Sequence, residues 1–354
     1  MQLGPHLLPN RLFVAPMAGV TDRPFRQLCR RLGAGYAVSE MVTSRRDLWD
    51  SLKTSRRADH QGEPAPIAVQ IAGVDPVEMA DAARHNIQHG AQIIDINMGC
   101  PAKKVCKVWA GSALMQNEAL ALSIIDAVVA ACQPHGVPVT LKMRTGWAAQ
   151  QRNAPRLAHL AQEAGVAMLT VHGRTREQKY TGHAEHDTVR RIKAAVRIPV
   201  VANGDINSPR RALRVLSETG CDAVMIGRAA QRQPWIFADT AHLGAHGHDA
   251  PAPATAQVAT WLLDHLQDHY GLYGELAGVR TARKHIAWVV QDAPGGEAFR
   301  RHMNTLQDTA SQWQALRDWL DELAQNHPLW PVAYPDDVLA GTMADDDVTV
   351  RAAA

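Results

Sequence analysis

Residues Asp95-Ile96-Asn97-Met98-Gly99-Cys100-Pro101 place an amide and a thiol three positions apart, directly after apolar Ile93 and Ile94. Glycine and proline on either side of Cys100 mark a turn. The thiol therefore falls where a buried strand gives way to a loop. A thiol in such a place is a nucleophile once its proton is lost, or a proton donor while the proton is kept.

Other apolar runs end in the same way. Ala15-Pro16-Met17-Ala18-Gly19, Glu40, Gln70, Lys142-Met143-Arg144, His172-Gly173-Arg174-Thr175, Asn203-Gly204-Asp205 and Gly227-Arg228 each close one. Singly, each has an ordinary reading. Gln70 could satisfy buried backbone, His172 could be a hydrogen-bonded core residue, and Lys142 could carry its head to water. Together they would crowd polar groups, costly in an apolar interior, at one end of a set of strands. That common register indicates a functional site. Asn203-Gly204-Asp205 and Gly227-Arg228 combine glycines for close backbone approach with a guanidinium, which suits a phosphate. Gln70 and Lys142 suit the oxygen and nitrogen edge of a flat heterocycle, and a lysine beside a flavin's N1–C2 edge would stabilise the anionic reduced ring. No Gly-x-Gly-x-x-Gly follows a strand to hold a dinucleotide. The set reads as the site of a phosphorylated flavin.

The elements that must hold these residues are legible in the pattern. The runs Leu12–Met17, Tyr36–Glu40, Ile67–Ile71, Ile93–Asn97, Val139–Met143, Met168–His172, Val200–Asn203 and Ala223–Ile226 are too short for helices, and several are rich in Val and Ile, as buried parallel strands are. Helical patterns lie between them, opened by Asp75-Pro76, Asn117 and Ser208-Pro209 and closed by Gly90 and Gly220 in two cases. This alternation predicts an α/β protein, a (β/α)8 TIM barrel over residues 1–243; a doubly wound open sheet is the alternative. Residues 244–254 are rich in Gly, Ala and Pro and read as a linker. Residues 255–327 carry helical stripes such as Trp261, Leu262, Leu266 and Tyr270, or Trp313, Leu316, Leu320 and Leu323, and predict a small all-α bundle. Residues 328–354 are rich in Pro and Asp and are expected to form a disordered acidic tail.

The totals narrow the class. Of 354 residues 46% are hydrophobic, enough for a large core, yet no run approaches the roughly 18 apolar residues of a membrane helix. With no signal-like start, a cytoplasmic protein without a membrane partner is expected. Five scattered cysteines without a C-x-x-C pair argue against a disulfide framework or a zinc site. His242, His246 and His248 read as part of a solvated linker, and no metal is expected. The net charge of +2 is weak evidence for nucleic acid. Basic residues nonetheless gather locally, among them Arg26, Arg30 and Arg31, and Arg280, Arg283, Lys284, Arg300 and Arg301.

The stretches APMAGVTDRPFR, VQIAG, DINMGCPAKKV, LKMRTGW, VHGRTR, VANGDI and MIGRAAQRQPWIF, with RTARKHIAWVVQ and FRRHMNTLQD further on, resemble the tRNA-dihydrouridine synthases, most of all the bacterial B subgroup. The resemblance runs from about Leu12 to Asn326. It implies an FMN-dependent oxidoreductase, a flavoprotein of tRNA processing. NADPH would reduce the flavin. Hydride would then pass from flavin N5 to C6 of a D-loop uridine, with position 17 suggested by the subgroup, and Cys100 would protonate C5. On the same ground Pro16, Met17, Gln70, Lys142, His172, Asn203, Gly204, Asp205, Gly227 and Arg228 are expected to hold the cofactor. Asn97 is expected to read the uracil edge. Arg144, Arg174, Arg176, Arg283 and Lys284 are expected on base or tRNA backbone, and Lys103 and Lys104 facing tRNA phosphate. Cys106, where the subgroup usually has a polar residue, reads as a surface thiol. A monomer is expected. Two readings compete: an FMN-dependent dehydrogenase of a free pyrimidine, similar to dihydroorotate dehydrogenase, which would not need the helical segment, and a non-catalytic RNA-binding protein built on a dead barrel.

Overall fold

The computed structural model describes residues 1–106 and 109–335, with the backbone alone at Lys103 and Lys104. Its centre is a parallel sheet of β1 (Leu12–Val14), β2 (Tyr36–Ala37), β3 (Ala68–Ala72), β4 (Ile93–Met98), β5 (Val139–Arg144), β6 (Met168–His172), β7 (Val200–Asn203) and β8 (Ala223–Ile226). The pairing runs β2-β1-β8-β7-β6-β5-β4-β3, and a short strand at Val42–Thr43 lies beside β3. Tyr36 and Ala37 pair with Phe13 and Val14, whereas Val38 bridges Ala68 and Val42–Thr43 pairs Ile71 and Ala72. Those two partnerships of one chain segment close the ring, so the barrel, not the open sheet, is the fold.

The expected strand Tyr36–Glu40 is broken for a reason visible in its side chains. The Ser39 hydroxyl accepts from the Gln70 backbone N–H and donates to the Glu40 carbonyl, and the Glu40 carboxylate accepts from Gly19 N at 2.5 Å. The Ser39 N–H still donates to Ala68 O at 3.0 Å, and beyond it local polar bonds take the place of the ladder.

The sequence signals for helix starts hold. Asp75 caps Pro76–Gln88, Ser208 caps Pro209–Thr219, and Asp22 caps Arg23–Arg31, each accepting a hydrogen bond from the first turn. Gly220 ends its helix at φ +65°, a conformation suited to glycine. Inside the barrel Phe13, Tyr36, Ile93, Met168, Val201 and Met225 form one cluster, joined by Leu3 and Leu8 of an N-terminal hairpin at the amino ends of the strands. The opposite end is left for polar residues.

Residues 255–326 form four helices around Val258, Leu262, Leu266, Ile286, Met303, Leu316 and Leu320. Leu28, Leu32 and Trp235 of the barrel share that cluster, so the bundle docks on the helix that follows β1. Two boundaries differ from expectation. The helix Ile236–His246 runs into the predicted linker, leaving 247–254 as the extended connection. The disorder expected from residue 328 does not reach residues 328–335. Leu329 bridges Ala254, Trp330 is buried, the Gln233 amide donates to Val332 O, and the Tyr334 hydroxyl donates to Asp239 at 2.8 Å. Trp330 and Tyr334 give this stretch apolar surface to bury, which a Pro- and Asp-rich composition conceals. The acidic residues from Asp336 onward lie outside the described residues. No helix among the described residues is long and apolar enough to cross a membrane.

Candidate active site

The strand register brings the predicted residues together. Asn97 stands opposite Lys142, Arg144 opposite His172, and His172 opposite Asn203 on neighbouring strands. All lie at the carboxyl ends, where barrel chemistry is placed.

One hydrogen-bonded chain crosses β3, β4 and β5. Buried Asp95 accepts from Gln70 Nε2 at 2.6 Å and from the Thr140 hydroxyl at 2.5 Å. Gln70 Oε1 accepts from Asn97 Nδ2 at 2.7 Å, and Asn97 Oδ1 accepts from the backbone N–H groups of Gly99 and Cys100 at 3.2 and 3.0 Å. The orientation of both amides follows from the carboxylate, which can only accept. Asp95 is a positioning residue that the sequence reading missed, because a lone acid inside an apolar run carries no sign of its partners. Burial pushes its carboxyl up to about 6. The native state then holds a proton that the unfolded chain has lost between pH 3.8 and 6, so this group lowers stability as pH rises through that window. Asp95→Asn would point an amide N–H at Gln70 or Thr140, leaving one donor unpaired. The expected loss is about 1–3 kcal/mol at pH 7, read from urea unfolding.

Asn97 corrects an expectation. Its carbonyl is taken up by the turn that carries Cys100, so its first task is to hold that turn. Cys100 O in turn accepts from the Ser112 N–H and hydroxyl at 3.1 and 2.9 Å. Gly111 has φ +63°, and a Cβ there would lie 2.8 Å from Cys100 O. Only glycine lets the returning loop close over the thiol. Burial pushes the Cys100 thiol above its ordinary value, so it keeps its proton at neutral pH. Cys106 Sγ lies 3.6 Å from both Cys100 O and Ser112 Oγ and is half-buried. It faces the base of the loop, not the open surface expected of it.

Across the mouth, Lys142 Nζ donates to Asn203 Oδ1 at 2.9 Å, and Asn203 Nδ2 donates to Met225 O. Burial, with Arg144 nearby, pushes the Lys142 ammonium down to about 8. His172 is buried and pushed well below its ordinary value, first by burial and then by Arg144 and Lys142, so it is neutral. Gly204 has φ +114°, and a Cβ there would stand 2.8 Å from His172 Cδ2. A Cβ on Gly227 would reach only Met17 Sδ and Ala15, at 3.5 and 3.6 Å. Arg228, at the mouth, is half exposed and stands 3.2 Å from Asp205. Met17 N donates to the Thr21 hydroxyl, and Pro16 precedes it on the same loop.

Four of the expected RNA contacts are turned inward instead. Arg144, 1% exposed, donates to Gly99 O, Thr175 O and Lys179 O, each at 2.8 Å. It ties the loop after β4 to the loop after β6. Arg174, 2% exposed, makes a two-pronged pair with Asp205 at 2.8 and 2.7 Å. Arg283 donates to Leu306 O, and Lys284 donates to Gly19 O, joining the bundle to the loop after β1. Arg26 is likewise buried against Glu63 and Thr21 O. Arg176 alone stays near the rim, 4.5 Å over the Trp147 ring. A sequence shows that an arginine is present but not which way it points. Lysine cannot span three carbonyls with a rigid fork. Arg144→Lys should destabilise the folded protein by about 2–3 kcal/mol, measured by urea unfolding. The orientations of Lys103 and Lys104 lie outside the described residues.

The fold and this mouth define a TIM barrel with a polar site at the carboxyl ends of its strands. The model of the dihydrouridine synthase (Dus) family matches residues 13–325, and the chain belongs to that family. It is 55% identical over 328 residues to the tRNA-dihydrouridine synthase B of Xanthomonas axonopodis pv. citri (strain 306), covering 93% of this chain and 98% of that protein. Identity is also 55% over 326 residues to the tRNA-dihydrouridine synthase B of Pseudomonas aeruginosa, with 92% and 97% covered. Histamine dehydrogenase from Rhizobium sp. 4-9 superimposes with a TM-score of 0.53 at 11% identity, over 92% of this chain and 64% of that one. That likeness concerns the fold alone.

Proposed function

We propose that the protein reduces the C5–C6 double bond of a D-loop uridine in tRNA to 5,6-dihydrouridine, using FMN and NADPH. The observation that carries this reading is the seating of the protonated Cys100 thiol, on a turn pinned by Asn97, at the mouth shared by Gln70, Lys142, His172 and Asn203.

The donor set fits FMN. Gln70 and Lys142 present an amide and an ammonium to the edge of a flat ring, Gly204 and Gly227 allow close approach of a phosphate, and Arg228 offers it a guanidinium. Pro16, Met17, His172, Asn203 and Asp205 complete the walls. When bound, FMN supplies the hydride. The rest is done by the chain. Lys142, whose remaining N–H groups are free of Asn203, stabilises negative charge at the ring edge. Asn97 Nδ2, which donates to Gln70 Oε1 and lies 3.8 Å from Met41 Sδ, is the Asn97 group that would turn to a uracil carbonyl. Cys100, half-buried with its thiol pKa raised, holds its proton at neutral pH until C5 requires one.

The base must leave its stack to enter the mouth. Trp109, beside the Cys100 loop, and Tyr180, beside Arg144 and Arg228, are both more than half exposed. They suit stacking against bases around the extruded uridine. Tyr180→Ala should weaken tRNA binding by about 10-fold, near the lower part of the roughly 1–3 kcal/mol seen per stacked base, without releasing FMN. Gel-shift titration measures it. The bundle over 255–327, with exposed Arg280 and Arg301 and half-buried Arg300, is the second RNA surface.

Anaerobic reduction followed by mixing tests the acceptor. Rapid flavin reoxidation by unmodified tRNA, and slow reoxidation by orotate or free uridine, is expected. The reverse order would favour the free-pyrimidine enzyme.

A further inference from the structure

Where the helical bundle meets the barrel, three side chains from distant parts of the chain face one another. Asp22 caps the helix after β1, His269 lies on the bundle's first helix (Thr255–Tyr273) and His285 on its second (Glu275–Val290). They are 1%, 1% and 5% exposed. One possible ligand atom from each lies within 4.8 Å of the other two, and Asp22 Oδ2, His269 Nδ1 and His285 Nε2 are all buried. None of these three atoms is met at strict hydrogen-bond geometry among the described residues, although the side chains of His269 and Tyr273 both stand close enough to Asp22 to act on its carboxylate.

The tautomer of His269 follows from its other nitrogen. The Thr281 hydroxyl donates its one proton to Ala277 O at 2.6 Å. It must therefore accept from His269 Nε2, 2.8 Å away. The proton of a neutral ring is thus on Nε2, and the Nδ1 lone pair faces the Asp22 carboxylate oxygen at 3.4 Å. Two acceptors so placed need a positive centre between them. A proton would join that pair as an imidazolium and carboxylate, but would leave the buried His285 Nε2 unserved. A divalent cation serves all three. Ligands about 2.0–2.1 Å from a tetrahedral zinc ion stand about 3.4 Å apart, the separation seen between Asp22 and His269. The Thr281 bond fixes the ring of His269, as second partners of ligating histidines do. Burial holds His285 neutral, the form that binds metal.

We propose that Asp22, His269 and His285 form a structural site for a divalent transition-metal ion, zinc by its ligand chemistry, that staples the loop after β1 to the helical bundle. The site lies apart from Cys100 and Lys142 and does not enter the reaction. Two charged neighbours of opposite sign lie within its reach: Asp22 acts on both Glu40 and Lys284. His265, with its ring 5.2 Å from that of His285, is the nearest further imidazole for a fourth position.

The test uses the flavin-loaded protein, purified without an affinity tag from zinc-supplemented medium. Elemental analysis should find about one zinc per chain, and zinc should raise the unfolding midpoint of the chelator-stripped protein. His285→Gln should weaken zinc at least 10-fold in competition with a chromophoric chelator, and its midpoint should no longer respond. Should that variant fold poorly, the wild-type content and response still decide. Less than a tenth of an equivalent, with no response to zinc or chelator, would overturn the site. Zinc retained by His285→Gln but lost with His246→Ala would place the ion at His242, His246 and His248, whose rings lie 4.5–5.9 Å apart, and would equally overturn it.

Discussion

Cys100→Ala retains FMN and its reduction by NADPH but loses uridine reduction by about 10²–10⁴-fold, the range that a positioned acid contributes. The variant should bind flavin normally because Asn97, Ser112 and Gly111 hold the loop through the backbone of residue 100, not through its thiol. The loss should appear in the oxidative half-reaction alone. Stopped-flow measurement of the two half-reactions separates these outcomes. Reoxidation by tRNA at the wild-type rate would remove the acid role from Cys100. Because the thiol pKa is raised by burial, the rate of flavin reoxidation by tRNA, taken apart from flavin reduction, should not rise as pH falls from 8 to 6, since the proton donor is already in place across that range.

Lys142→Met should cut the rate by about 10²–10³-fold, the effect of removing one aimed electrostatic donor, and weaken FMN as well. Lys142 is the ammonium bonded to Asn203 in the mouth, and burial has brought it down to about 8. It is charged below that value and neutral above it. The wild-type rate of flavin reduction should therefore decline as pH rises through about 8, with Lys142→Arg holding its smaller rate to higher pH. A flat wild-type profile together with an unimpaired Met variant would separate Lys142 from the flavin. The sign for stability is opposite. Between pH 8 and 10.5 the unfolded chain binds the proton that the native state lacks, so this group contributes stability as pH rises.

The barrel and its mouth were legible because strand ends repeat. Most of the short apolar runs stop at a polar residue, and that recurrence marks the positions of Gln70, Lys142, His172 and Asn203 in the sequence itself. Helix starts at Asp75 and Ser208 were equally open, since a cap and a following proline are local signals. What remained hidden depends on direction and on distant partners. Arg144 and Arg174 look like RNA contacts in a sequence, yet they fold inward to carbonyls and to Asp205. Lys284 looks like a surface charge and closes a bond to Gly19. Asp95 passes for an isolated acid until the register sets it against Gln70 and Thr140. The grouping of Asp22 with His269 and His285 exists only after the bundle docks, so no spacing along the chain foretells it. Tyr36–Glu40 read as one strand because hydrophobicity cannot report that Ser39 and Glu40 bond locally.

The most direct test of the account is to incubate the purified protein with NADPH and unmodified tRNA and to map dihydrouridine nucleotide by nucleotide. One dihydrouridine at a single D-loop position, with position 17 expected, is the predicted result. Tight tRNA binding with no dihydrouridine, while reduced flavin is reoxidised by a free pyrimidine or a quinone, would contradict it.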